Sequence, residues 1–358
     1  MKNIKKLKEA IKDYSFLDLL EEDLSQYNLL AEYKQNTIVL IGIGGSSLGA
    51  KVISSLSKSK KKVIFLDHLN SNFILDLLKQ LDPIDTLYLI QSKSGKTQET
   101  LALYSIFKKW LIDNQSSLSR NIIYSSDPGT FLEQEAIQNG SVFYKLNPNV
   151  GGRYSAFSCM GLVLAKLLEI DIYELISSAK LYPQYLNNIQ ELALATFESR
   201  VKTIVNFSYN HKLPYLNEWI VQLIAESLGK SGKEYLPISC TGVKDQHSFL
   251  QLLSDGIKNK LIFFYPPFEG QQLAIPGYDY TINQLLEAEY LATFESLKLI
   301  HSYYEFDDNV NLNKYLGKII IFFEIFTAYL GELNSINPFD QPGVENSKKI
   351  TQEILTKK

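Results

Sequence analysis

Cysteine is nearly absent: Cys159 and Cys240 are the only two in 358 residues. Two thiols exclude a disulfide framework and suit a reducing, cytoplasmic setting. Histidine is almost as sparse, with His68, His211, His247 and His301, and no Cys/His cluster has metal-ligand spacing. Arginine is scarcer still: Arg120, Arg153 and Arg200 stand against 33 lysines. A chain that uses Lys for general positive charge keeps Arg where a planar, always-charged fork matters. There is no basic surplus either. A net charge of -3 and a pI near 5.9 argue against a nucleic-acid partner. Long apolar runs are missing: Ile319–Leu330 is interrupted by Glu324 and reads as a buried helix, not a membrane span. The N-terminus, M-K-N-I-K-K-L-K-E-A, is amphipathic and lacks the apolar core of a secretory signal.

What is present is a chain with 45% hydrophobic residues, long enough for roughly two domains. It is organised around Ser92–Thr100, S-K-S-G-K-T-Q-E-T. The apolar run Thr86–Gln91 leads in as a buried strand, and a periodic run from Thr100 leads out as a helix. The hydroxyls of Ser92, Ser94 and Thr97 therefore lie where free helix amides meet the positive end of the dipole. That makes either a phosphate seat or an ordinary capped turn. A P-loop is excluded, because its first glycine position is Ile90. Upstream, Thr37–Gly42 and Lys62–Asp67 read as strands; downstream, Arg120–Tyr124 and Ser141–Tyr144 do, with helices between. A second alternation has strands at Lys202–Ser208, 235–239 and Lys260–Tyr265. Its helices cover 214–229, 281–298 and 311–333, with another from Asp245 and a last one from Pro342. The rhythm implies an α/β fold with parallel sheets covered on both faces, ligands binding beyond the carboxyl ends of the strands. The boundary between two domains is expected near 175, giving 1–175 and 176–358.

Five further stretches could carry chemistry. Gly42–Gly49, G-I-G-G-S-S-L-G, has the first two glycines of a dinucleotide fingerprint, but Ser47 replaces the third. The other reading is that Gly44, Gly45 and Ser46 bring backbone amides close to a sugar or phosphate. Arg153 follows Gly151 and Gly152 just before a helix; it is either a surface arginine near a turn or a fixed cation for a developing oxyanion. Gln222 and Glu226 share one face of a mostly apolar helix. Glu226 is there a partly buried general base or a solvated helix-end carboxylate. His247 is an acid/base group or a polar residue near a helix cap. Lys348, seven residues after Gln341, can share a face with it on the last helix, and alone reads as a solvated lysine.

Together these segments resemble the glucose-6-phosphate isomerase family. The resemblance rests on I-G-I-G-G-S-S-L-G, S-K-S-G-K-T-Q-E-T, V-G-G-R-Y-S, the Gln222–Glu226 helix, D-Q-H-S-F-L-Q-L and N-P-F-D-Q-P-G-V-E-N-S-K, in order from 41 to 348. It implies two sugar-isomerase (SIS) domains, each a doubly wound parallel sheet in three α/β/α layers, and a C-terminal helix. It implies interconversion of glucose 6-phosphate and fructose 6-phosphate through a cis-enediol, in glycolysis and gluconeogenesis, with no cofactor or metal. Ser92, Ser94 and Thr97, with Lys93 in the same loop, match the phosphate seat. Gly45, Ser46 and Gly152 match backbone near the sugar, and Gln222 and Gln341 substrate-holding amides. Glu226 matches the base, Arg153 the cation beside the enediolate, and His247 and Lys348 the pair linked to ring opening. The family's histidine comes from the neighbouring subunit, implying a homodimer. Lys96 departs from the pattern, standing where the family usually has Thr. The alternatives are a dual phosphoglucose/phosphomannose isomerase and a non-catalytic sugar-phosphate-binding protein; the latter would not need Glu226, Arg153, His247 and Lys348 together.

Overall fold

A computed structural model describes residues 2–268, 270–306 and 311–356. Five strands form the first sheet: β1 (Thr37–Ile41), β2 (Lys62–Leu66), β3 (Thr86–Gln91), β4 (Ile122–Ser126) and β5 (Val142–Lys145). They run in parallel in the order β2-β1-β3-β4-β5. The second sheet, β6 (Thr203–Ser208), β7 (Leu236–Thr241), β8 (Lys260–Tyr265) and β9 (Ser302–Glu305), is also parallel, in the order β7-β6-β8-β9. This is the expected doubly wound α/β architecture.

Both central strands are buried from end to end because helices cover both faces. In β3, Leu87 and Leu89 face the core shared by the two sheets, whereas Tyr88 and Ile90 face the outer helices of the first sheet. In β8, Leu261, Phe263 and Tyr265 join that shared core, and Ile262 and Phe264 the outer layer of the second sheet. The two sheets therefore meet through one continuous apolar layer.

The layer centres on helix Leu312–Asn334, which is buried almost all round. Gly317 lets it approach helix Ile172–Ala179: a Cβ there would lie 2.1 Å from Ser178 Oγ and 2.3 Å from Leu175 O. Residue 175 thus lies inside a helix packed against the core of the second half.

Several boundaries differ from expectation. The strand expected at Arg120 begins at Ile122, because Leu118–Asn121 makes a helical turn first. β9 was not expected; S-Y-Y-E is short and half exposed, as edge strands often are. The last helix starts at Glu345, since Pro342–Val344 forms a 3₁₀ turn, so Gln341 and Lys348 do not share a helix. No helix among the described residues is long and apolar enough to cross a membrane.

Glu324 sits in the middle of the long helix, fully buried, with neither carboxylate oxygen hydrogen-bonded among the described residues. Burial pushes its pKa well above the ordinary 4.5. The folded chain therefore keeps a proton that the unfolded chain releases. The stability this group contributes is whole below pH 4.5 and is lost as pH rises toward the folded value. Glu324→Gln removes the titration. In urea unfolding, the variant is expected to match the parent near pH 4 and to exceed it at pH 8; a constant difference across that range would contradict the assignment.

Candidate active site

In the first sheet the chain order reverses between β1 and β3, and ligands of such sheets bind beyond the carboxyl ends at that switch point. Two loops flank it: Gly42–Ser47 after β1 and Ser92–Thr97 after β3. Gly42 keeps them close, since a Cβ there would lie 3.2 Å from Gln91 O.

The β3 loop turns tightly, with Gly95 N–H donating to Ser92 O at 3.1 Å. Gly95 has φ +61°, and a Cβ would lie 2.6 Å from Thr130 Cβ, so glycine is needed on both counts. Ser92 is buried, its hydroxyl 3.0 Å from Thr97 Oγ1. Thr97 precedes helix Gln98–Asp113 but does not cap it with its side chain. The N–H groups of Lys93, Ser94 and Thr97 have no acceptor among the described residues. A ring of hydroxyls and free amides at a helix N-terminus is suited to a phosphate. The ammonium of Lys93 is occupied elsewhere: it pairs with Asp127 at 2.8 Å and donates to Pro148 O at 2.9 Å.

The β1 loop packs on the Gly151–Ser155 loop. A Cβ on Gly45 would lie 2.5 Å from the carbonyl carbon of Gly152 and 2.6 Å from Arg153 N. Gly44 (φ +56°) lies against Gln222, whose Nε2 would be 2.8 Å from a Cβ there. These glycines bring the strand loop, Arg153 and helix Leu216–Leu228 to one point. Ser46 lies beside them in the turn Gly44–Ser46.

Arg153 is the hub. Its side chain is 2% exposed, and each of its five N–H groups has an acceptor. Nε donates to Ser227 Oγ at 2.7 Å. Nη1 donates to Glu226 Oε1 at 3.2 Å and to Gln341 Oε1 at 2.9 Å. Nη2 donates to Pro338 O at 2.5 Å and Asp340 O at 3.0 Å. The other carboxylate oxygen of Glu226 accepts from Gln222 Nε2 at 3.0 Å. Glu226 keeps 28% side-chain exposure, so it is fixed on two sides and open on a third. Lys230 fastens the same C-terminal loop, donating to the carbonyls of Asn337 and Asp340 and pairing with the Asp340 carboxylate at 2.8 Å.

Gly45, Ser46, Gly152, Arg153, Gln222, Glu226 and Gln341 thus converge, with Ser92, Ser94 and Thr97 one strand away. His247 and Lys348 do not join them within one chain. His247 is exposed at the start of helix Gln246–Asp255, and no hydrogen bond links it to the cluster among the described residues. Lys348 is exposed on helix Glu345–Thr356, which has no buried residue, and pairs with Glu345 at 2.7 Å. Sequence reasoning missed Ser227, Asp127 and Lys230. Ser227 follows Glu226 directly, but only the fold shows that its hydroxyl meets Arg153.

The model of the phosphoglucose isomerase family matches residues 4–298. The chain belongs to the phosphoglucose isomerase family. It is 31% identical to a probable glucose-6-phosphate isomerase of Methanococcus maripaludis, covering 99% of this chain and 86% of that one. It is 32% identical to glucose-6-phosphate isomerase of Campylobacter jejuni, over 95% of this chain and 89% of that protein. Among solved structures, a hypothetical protein of Thermus thermophilus superposes with a TM-score of 0.89 at 30% identity, covering 99% of this chain and 94% of that one. A glucose-6-phosphate isomerase of Chlamydia trachomatis shares the fold, with a TM-score of 0.81 at 23% identity over 95% of this chain and 72% of that one.

The Gly45 contact yields a test specific to this family member. Gly45→Ala drives a methyl group into the backbone of Gly152 and displaces Arg153. A shift of about 1 Å costs about 10²-fold in efficiency. Isomerase kcat/KM is expected to fall by that order while the far-UV circular dichroism spectrum is unchanged. Parental kinetics in the variant would mean that the two loops do not meet.

Proposed function

We propose that this chain interconverts glucose 6-phosphate and fructose 6-phosphate, with Glu226 as the base. The observation that carries the reading is the Glu226 carboxylate held between Arg153 and Gln222 while 28% of its side chain stays exposed. An aldose–ketose shift moves one proton between adjacent carbons. The base takes it from C2 of the open-chain aldose, leaving a cis-enediolate, and returns it to C1. The negative charge of that intermediate develops on oxygen, and the buried Arg153 guanidinium stabilises it without reorganising. Gln222 and Gln341 hold the sugar hydroxyls. Ser92, Ser94 and Thr97 hold the phosphate, far enough from the reacting carbons to serve as the anchor that orients them. The reaction needs no net redox change and no cofactor. It serves glycolysis and gluconeogenesis in the cytoplasm.

The working form in this reading is a homodimer. His247 reaches the site of the neighbouring subunit and, with Lys348, moves protons at the ring oxygen during opening. The exposure of both side chains and the wholly exposed face of helix Glu345–Thr356 support this assignment.

Two experiments test the reading. Glu226→Gln keeps the shape and the hydrogen bond from Arg153 but removes the base. Turnover, followed by coupled assay, is expected to fall by about 10²–10⁴-fold while a sugar-phosphate analogue still binds by calorimetry. Turnover near the parental rate would exclude Glu226 as the base. The second is complementation. His247→Ala and Glu226→Gln proteins, each expected to be strongly impaired alone, are unfolded together and refolded. If each site draws on two chains, hybrid dimers contain one intact site and activity returns; if both groups act within one chain, the mixture stays impaired.

A further inference from the structure

The β3 loop carries two lysines, and only one of them is engaged. Lys93 is neutralised by Asp127 and held by Pro148 O. Lys96 is exposed, and no carboxylate pairs with it among the described residues. Its backbone N–H donates to Ser94 Oγ at 3.2 Å, so its Cα is fixed inside the turn that the hydroxyls line. The next residue, Thr97, is bonded through its hydroxyl to Ser92. Glu99, the acidic residue of the first helical turn, is exposed, and no ion pair joins it to Lys96.

A charge count shows what this arrangement lacks. A phosphate monoester carries about -1.5 to -2 near neutral pH. The hydroxyls are neutral, the Lys93–Asp127 pair cancels, and the helix N-terminus supplies about +0.5. Roughly one negative charge or more remains unmet. Arg153 does not meet it, because its charge is committed to the Glu226 cluster, where the proposed reaction uses it. Building on the proposed function, we infer that Lys96 is a substrate-binding residue: its ammonium folds over the seat at Ser92–Thr97 and closes an ion pair with the phosphate dianion. It is free to do so because no other charge holds it, whereas Lys93 is already tied to Asp127. The ion pair forms equally with substrate and with the enediolate intermediate, because the phosphate is unchanged through the reaction. Lys96 therefore contributes uniform binding, which appears in KM and not in kcat.

The test uses the full chain and two probes, glucose 6-phosphate as substrate and inorganic phosphate as competitive inhibitor. Lys96→Met is expected to raise KM and the phosphate inhibition constant together by about tenfold, the scale of one charge-assisted contact. The turnover number should stay within about twofold, and the salt dependence of KM should flatten. Lys96→Arg should restore most of the affinity. Thr97→Val separates this inference from the reading beneath it. If Thr97→Val raises both constants and Lys96→Met raises neither, the seat stands and the role of Lys96 is refuted. If neither variant moves either constant, both the seat and the inference fall. A drop in turnover with unchanged KM in Lys96→Met would likewise refute it.

Discussion

The architecture of the site depends on one buried guanidinium. Arg153 joins three segments distant in sequence: its own glycine loop, helix Leu216–Leu228 through Glu226 and Ser227, and the loop after the long helix through the carbonyls of Pro338 and Asp340 and the side chain of Gln341. A guanidinium this buried is tolerated only when its donors are met, and each of the five is. Lysine would leave that set incomplete, which gives a physical reason for an arginine in a chain otherwise rich in lysine. The same constraint fixes Glu226, the proposed base. Glu226 cannot leave its position without stranding a buried positive charge, and Gln222 restrains its other oxygen.

The glycines are the second constraint. Gly45 allows backbone to touch backbone at Gly152, and Gly95 takes a left-handed conformation against Thr130. Neither contact leaves room for a Cβ. The parallel sheet supplies the platform, with its strand-order reversal between β1 and β3 opening the crevice. The β3 loop follows the strand next to β1, whose own loop packs on the Arg153–Glu226 cluster; in the proposed reading the first anchors the substrate and the second reacts with it.

Much of this was legible in the sequence. The strands Thr86–Gln91 and Lys260–Tyr265, apolar throughout their centres, have the bounds their composition predicts, because burial on both faces leaves no ambiguity of period. The four-residue spacing of Gln222 and Glu226 correctly put them on one face, and the scarcity of arginine drew attention to Arg153, which the structure buries among five acceptors. What was hidden depends on contacts distant in the chain. Nothing local predicts that Asp127 holds Lys93, that Lys230 pins the loop carrying Asp340, or that Ser227 receives Arg153. The polar edge strand Ser302–Glu305 has too little apolar pattern to read. The shared face expected for Gln341 and Lys348 failed because proline and glycine after Gln341 form a 3₁₀ turn, which rotates the following helix out of register.

The central claim is that one cleft holds the phosphate at the β3 loop while Glu226, braced by Arg153, meets the reacting carbons. A crystal structure with a linear sugar-acid phosphate bound tests it most directly, because the planar carboxylate of that ligand stands in for the enediolate. The phosphate oxygens are predicted to accept from Ser92, Ser94 and Thr97, with the planar end within hydrogen-bonding reach of Glu226 and beside Arg153. A phosphate lodged away from that loop, or a carbon chain out of reach of Glu226, would contradict the account.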